Sequence, residues 1–194
     1  MSLDTLIFDR TAADVQRVRE LRTKILTEGL GGLTNDERTE YMAGMKGAYN
    51  YTDFNRVENA KLLIADRMIE LAYEVASDRD RYGVSRSPLT DVPYDPDDIE
   101  VSSKYWRVTD IPTQSTAATF LDGLALIRRQ LPLPADTPLL PDTLGNLDYE
   151  KANDIERMLF VVSDTLEEVA EDVFSGITHT HIAFPYTGAT FTGE

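Results

Sequence analysis

The sequence predicts a mainly α-helical bundle of two similar halves, and three observations carry that prediction. Apolar residues recur at helical spacing through most of the 194 positions. Each candidate helix opens on a capping residue and closes near glycine or proline. Two long amphipathic stretches, starting at Asn50 and Asp148, align with each other at a fixed offset.

The first helix opens at Thr11, with Asp14 in capping position, and carries Val15, Val18, Leu21, Ile25 and Leu26 up to Gly29. Gly29, Gly31 and Gly32 break it, and Thr34 with Glu37 then forms a capping box for a short helix ending near Gly44. The longest signal of the first half runs from Asn50 toward Asp80. It places Phe54, Val57, Leu63 or Ile64, Met68, Leu71 and Val75 on one face, with Gly83 as its stop.

From Val84 to Ile99 the pattern collapses into a segment with Pro88, Pro93 and Pro96 among several aspartates. No regular helix tolerates that composition, so it reads as the connection between halves. Around Trp106, residues 99–107 alternate imperfectly, as a short strand or an extended arm would. Thr113 opens a fourth helix through Phe120, Leu121, Leu124, Ile127 and Leu131, closed by Pro132 and Pro134. A second long helix spans about Tyr149 to Phe174 and ends at Gly176. Ile177 to Glu194 shows no helical period and is expected to be an extended arm that needs a neighbour. The chain thus divides into a first helical half (1–83), a connector (84–112), a second helical half (113–176) and an arm (177–194).

The alignment of the long helices pairs Gly47 with Gly145, Tyr51 with Tyr149, Val57 with Ile155, Asn55 with Asn153 and Glu58 with Glu156. Asn50 and Asp148 fall at equivalent positions and both make good N-caps. Tyr51 and Tyr149 follow at the first helical position. Asn and Glu, three residues apart in each half, share a helical face. These residues are expected to pin each long helix to its partner, the halves being related by an approximate twofold axis.

Composition narrows the function. Formal charge is −15, from 34 acidic and 19 basic side chains spread along the chain, and there is no cysteine. That excludes disulfides and thiolate chemistry, and it argues against nucleic-acid binding through a basic groove. An acidic wall past which DNA slides would suit the charge, although ordinary solubility accounts for it more simply. No run of about 20 apolar residues exists to insert in a membrane, and the N-terminus lacks the pattern of an export signal, so a soluble chain is expected.

Little in the sequence suggests reaction chemistry. His179 and His181 form a His-x-His that, on a strand, would project from one face, but two ligands do not make a metal site unless several copies converge on a symmetry axis. Asp91, Asp95, Asp97, Asp98 and Glu100 loosely resemble an oxygen-rich calcium site, but the spacing of a known loop is absent and they read instead as a solvated acidic linker. Nucleophile elbows, phosphate-binding glycine loops and zinc-hydrolase motifs are absent, and neither catalysis nor a cofactor is expected.

The run Gly47-Ala-Tyr-Asn-Tyr-Thr-Asp-Phe-Asn-Arg-Val-Glu58 resembles a motif of small virion-associated proteins of phages and prophages of Gram-positive gut bacteria. Thr11 to Val18, Asp110 to Thr113 and Leu147 to Glu156 are similar to the same proteins, whereas Val84 to Ile99 departs from their compact central region. The resemblance implies a structural part of a phage tail near the tail tip, baseplate or fibre attachment. It also implies no known activity, other tail proteins as partners, a symmetric homo-oligomer, and a location in the virion after synthesis in the host cytoplasm. Phe184 to Gly188 and Phe191 to Glu194 resemble the short endings of that group and read as a docking arm. Tyr105, Trp106, Phe184, Tyr186 and Phe191 are the expected assembly contacts, because large aromatics supply much of the energy of interfaces. A freestanding binding module, either a receptor-contacting adhesin domain or a host regulator, is the alternative. A helical-bundle metalloenzyme would need inward Glu and His pairs at helical spacing, and neither His lies in a helix of this reading.

Overall fold

The computed structural model describes residues 3, 5–84 and 91–183, with side chains of the last helix described as far as Ile177. Among the described residues there are five α-helices and no strand: α1 (Ala12–Glu28), α2 (Asn35–Ala43), α3 (Tyr51–Tyr82), α4 (Gln114–Arg128) and α5 (Tyr149–Ala183). Short 3₁₀ turns lie at Leu30–Gly32 and Pro96–Asp98.

The helix starts follow from their capping residues. Thr11 with Asp14, Thr34 with Glu37, Asn50 with Asp53 and Thr113 with Thr116 each form a reciprocal capping box, satisfying two backbone donors at a helix start. The Asp148 carboxylate accepts from the Lys151 N–H at 2.8 Å and does the same for α5. Gly83 ends α3 in the left-handed conformation (φ 64°), where a side chain would be strained.

The α2 cap carries a pH signature. The Lys24 ammonium, 2.7 Å away, and then the Thr34 N–H hold the Glu37 carboxyl down at about 2. Its folded value therefore lies below that of the unfolded chain. The cap's contribution is fully present above the unfolded carboxylate value and is lost as pH falls through about 2. Carboxyl-resolved NMR titration is expected to place the Glu37 midpoint near 2, and Lys24→Ala to move it up toward the ordinary range.

α3 and α5 form the spine of the bundle. Ion pairs Arg56–Glu156 and Arg67–Glu167 advance together along both helices, so the two run parallel. Val57, Ile64, Met68 and Leu71 of α3 meet Ile155, Met158, Leu159, Val162 and Leu166 of α5, all fully buried. Phe120, Leu124 and Ile127 of α4 close the third side. At about 25 cal/mol per Å² of apolar surface removed from water, this face is the main stabilising contribution. One continuous cluster runs from Leu6 to Ile177, so both halves share a single core. Of the two candidates at one α3 position, Ile64 is buried and Leu63 is exposed.

α1 lies outside this spine. Only Val18 and Leu21 of its stripe are buried, while Leu26 is exposed. It is tied to α2 by Arg17–Glu40 and Lys24–Glu37. Gly47 brings the α2–α3 connection against the first turn of α1: a Cβ there would stand 2.2 Å from the Asp14 carbonyl oxygen. Gly145, its partner in the sequence alignment, faces no such restriction, since a Cβ would meet only Thr143 Oγ1 at 3.5 Å.

Three expectations need correction. Residues 99–107 are not a strand: the segment finds no partner strand and is held instead by side chains of α3. The connector is also no solvated linker throughout, because Val84, Tyr94, Ile99 and Trp106 are buried against the bundle and Tyr94 donates its hydroxyl to Met68 O at 3.0 Å. Finally, α5 passes through Gly176 to Ala183 rather than stopping at Phe174 and giving way to an extended arm at Ile177. An interior glycine costs a helix only about 1 kcal/mol. Ile177, four residues after Val173 on the same buried face, offsets that cost. His179 and His181 therefore lie on helix, which removes the strand on which their shared face depended. No helix among the described residues is long and apolar enough to cross a membrane.

Candidate functional site

Two asparagines, one on each long helix, perform the same task. Asn55 Nδ2 donates to Trp106 O at 2.9 Å while its Oδ1 accepts from Trp106 N at 2.7 Å. Asn153 Nδ2 donates to Arg10 O at 2.9 Å while its Oδ1 accepts from Arg10 N at 3.0 Å. A primary amide matches a peptide group donor for acceptor, so each asparagine pairs with the backbone as a neighbouring strand would. Both clamped segments lead into the first helix of a half: Arg10 precedes the α1 cap, and Trp106 lies upstream of the α4 cap. Each long helix thus holds the lead-in segment of the opposite half.

Charge is built in around the Asn153 clamp. Glu156, fully buried, accepts from Ile7 N at 2.6 Å, from Arg10 Nη2 at 2.8 Å, and from Arg56 Nε and Nη2 at 2.9 and 2.8 Å. Asp53 accepts from Arg10 at 2.8 Å and from Arg56 as well. Arg10 also donates to the carbonyls of Ile7 and Lys46. Two guanidiniums against two carboxylates leave the quartet neutral, which is the condition for burying charge at tolerable cost. Burial works against the Arg56 charge, but hydrogen bonds to Glu156 and Asp53 outweigh it and raise its pKa above the ordinary arginine value.

The Asn55 clamp has a smaller set. Lys61, almost wholly buried, pairs with Glu58 at 2.6 Å and donates to Ser102 O at 2.7 Å. Gly123 on α4 leaves room for it, since a Cβ there would approach Lys61 Nζ to 3.0 Å. Trp106 lies flat on Phe54 with centroids 4.6 Å apart, and Phe120 meets Phe54 edge-on at 5.3 Å.

Between α1, α2 and the starts of α3 and α4 lies a cleft of about 1170 Å³. Met42, Tyr51, Val108, Ala118, Leu121 and Leu144 are among its walls, and Tyr49 and Trp106 also line it. Tyr49 OH and Trp106 Nε1 are buried without a hydrogen-bond partner. Burial, reinforced by the negative charge of Glu156 and Asp53, pushes the Tyr49 phenol well above its usual pKa, so it stays a neutral donor.

The residues singled out by the motif divide by role. Asn50 and Asp148 cap, Asn55 and Asn153 clamp, and Glu58 and Glu156 hold buried cations. Tyr51 and Tyr149 do not pin their helices: Tyr51 is partly exposed at the cleft, and Tyr149 donates its hydroxyl to the adjacent Glu150. Of the expected assembly contacts, Tyr105 is exposed and Trp106 is core, while Phe184, Tyr186 and Phe191 lie outside the described residues. In the acidic segment Asp91 pairs with Arg79, and Asp95 accepts from Asp97 N at 3.0 Å within a turn. Among the described residues no three His, Asp or Glu gather as metal ligands.

Sequence reasoning missed Arg10, Asp53, Arg56, Lys61 and Tyr49. Lys61 carried a signal, since it interrupts the apolar series Val57, Ile64, Met68 at a position facing inward. Arg10 carried none, because its partners are 43 and 146 residues away. Comparison of the chain with protein-family models, with curated proteins and with solved structures gave no match.

Proposed function

We propose that this chain is a non-enzymatic structural component of a bacteriophage virion, in the tail-tip, baseplate or fibre-attachment region, acting through protein–protein assembly. The observation that carries the reading is the use made of the motif residues. Asn50, Asn55 and Glu58, with Asp148, Asn153 and Glu156, spend their polar groups on capping, clamping and neutralising the chain's own segments. A sequence signature devoted to architecture suits a part whose task is to hold shape in an assembly. The repetition of one clamp in both halves supports an origin by internal duplication.

The alternative, a freestanding binding module, draws on the apolar cleft, a concave feature roomy enough to receive a segment of a partner chain. Quantitative mass spectrometry of purified particles from the source organism separates the two readings. Presence at a fixed ratio to a tail protein is the expected result, and absence from clean particles with abundant chain in the lysate would transfer support to the binding module.

A further inference from the structure

We infer that the cleft at the start of the bundle receives the segment Phe184 to Phe191 of a second copy, joining copies head to tail. The inference rests on the assembly reading and names its partner surface.

The first argument is reach. α5 has 35 residues and is about 52 Å long, and the cleft lies at its beginning, with Gly145 and Leu147 in its wall. Along α3 the cleft extends no further than Phe54. Phe191 is eight residues beyond Ala183, so even a fully extended chain carries it at most about 29 Å back. The segment cannot enter the cleft of its own copy, but it can enter that of another.

Charge makes the second argument. Copies of a chain with net charge −15 repel one another. Residues 173–193 contain no Asp, Glu, Lys or Arg, the longest such run in a sequence that is 27% charged, and it includes the whole of Phe184 to Phe191. This is the stretch that one copy can bring against another at least electrostatic cost.

Complementarity is the third. Met42 and Val108 stand 75% and 78% exposed on the cleft walls, apolar surface that Phe184, Tyr186 and Phe191 would cover. Leu121 and Leu144 continue the apolar wall. The volume also exceeds the roughly 300–1,000 Å³ usual for a small molecule and suits several residues of chain. A head-to-tail contact of this kind uses two different surfaces, so it continues into rings or filaments rather than stopping at a dimer.

Sedimentation velocity of the full chain across a concentration series tests this. The mass is expected to grow past the dimer. Met42→Glu with Val108→Glu blocks the cleft at two exposed positions, and Phe184→Ala with Tyr186→Ala and Phe191→Ala removes the aromatic side chains. Each variant alone is expected to remain monomeric with unchanged helical circular dichroism. An equimolar mixture of the two should form a heterodimer and nothing larger, because only one productive contact remains. A full chain that stays monomeric, self-association that survives either set of changes, or a mixture without heterodimer overturns the inference. A monomeric chain that is nonetheless present in particles at fixed ratio would overturn this contact alone and leave the assembly reading standing.

Discussion

Glu156→Ala is expected to lower the stability of the fold by roughly 3–5 kcal/mol, the range for removing one partner from a buried ion pair. In a chain of this size that corresponds to a fall in Tm of roughly 6–20 °C. The loss is large because Glu156 answers three sources of positive charge or N–H at once: Ile7 N, Arg10 and Arg56. Without it, two guanidiniums face only Asp53, and one positive charge remains buried without compensation. The expected structural consequence is release of the lead-in segment before α1, since Ile7 N loses its acceptor while the Asn153 clamp holds Arg10 alone. Thermal and urea unfolding, followed by the fluorescence of the single tryptophan and by circular dichroism, would measure it. Glu40→Ala, which breaks the exposed pair with Arg17, serves as the control and is expected to leave the midpoint unchanged. If both variants melt with the wild type, the buried quartet does not hold the fold together.

The contrast between those two glutamates shows what could be read in the sequence. Local devices were legible: Thr11 with Asp14, Thr34 with Glu37, Asn50 and Thr113 all start helices where their spacing predicts, because a cap involves groups within four residues of each other. The apolar face of α3 was legible too, since Phe54, Val57, Met68, Leu71 and Val75 need only helical period to declare it, whereas the choice of Ile64 over Leu63 came from packing. Arg10 was not. Its burial depends on Asp53 and Glu156, which only the completed bundle brings together. The alignment of the long helices marked Asn55, Glu58, Asn153 and Glu156 as a set, yet it could not show that each asparagine clamps a backbone segment of the other half. The end of α5 was misread for the opposite reason. Gly176 is a local stop signal, and the distant packing of Ile177 overrides it.

Trp106→Ala is the second substitution expected to act strongly, and its direction separates two roles for the residue. As an exposed aromatic anchor, Trp106 would govern association and leave the melting temperature alone. The ring instead sits in the core at 1% exposure, stacked on Phe54 at 4.6 Å, edge-on to Phe120 at 6.4 Å and beneath the Lys104 ammonium at 4.2 Å. Truncating a buried aromatic of this size to alanine costs roughly 3–5 kcal/mol, through lost transfer energy and the cavity left behind. Tyr105→Ala, one residue away and 78% exposed, is expected to melt with the wild type. Circular-dichroism melts of the two variants make the comparison, and a Trp106→Ala protein within about 2 °C of wild type, less than 1 kcal/mol in a chain of this size, would refute the core assignment. The clamp sharpens the test, because Asn55 grips the backbone of residue 106 and not its ring. Asn55→Ala removes the grip and leaves the ring, Trp106→Ala does the reverse, and the double variant reports their coupling. If the clamp positions the ring on Phe54, the double variant is less destabilised than the sum of the two single ones, since a ring already released has no placement left to lose.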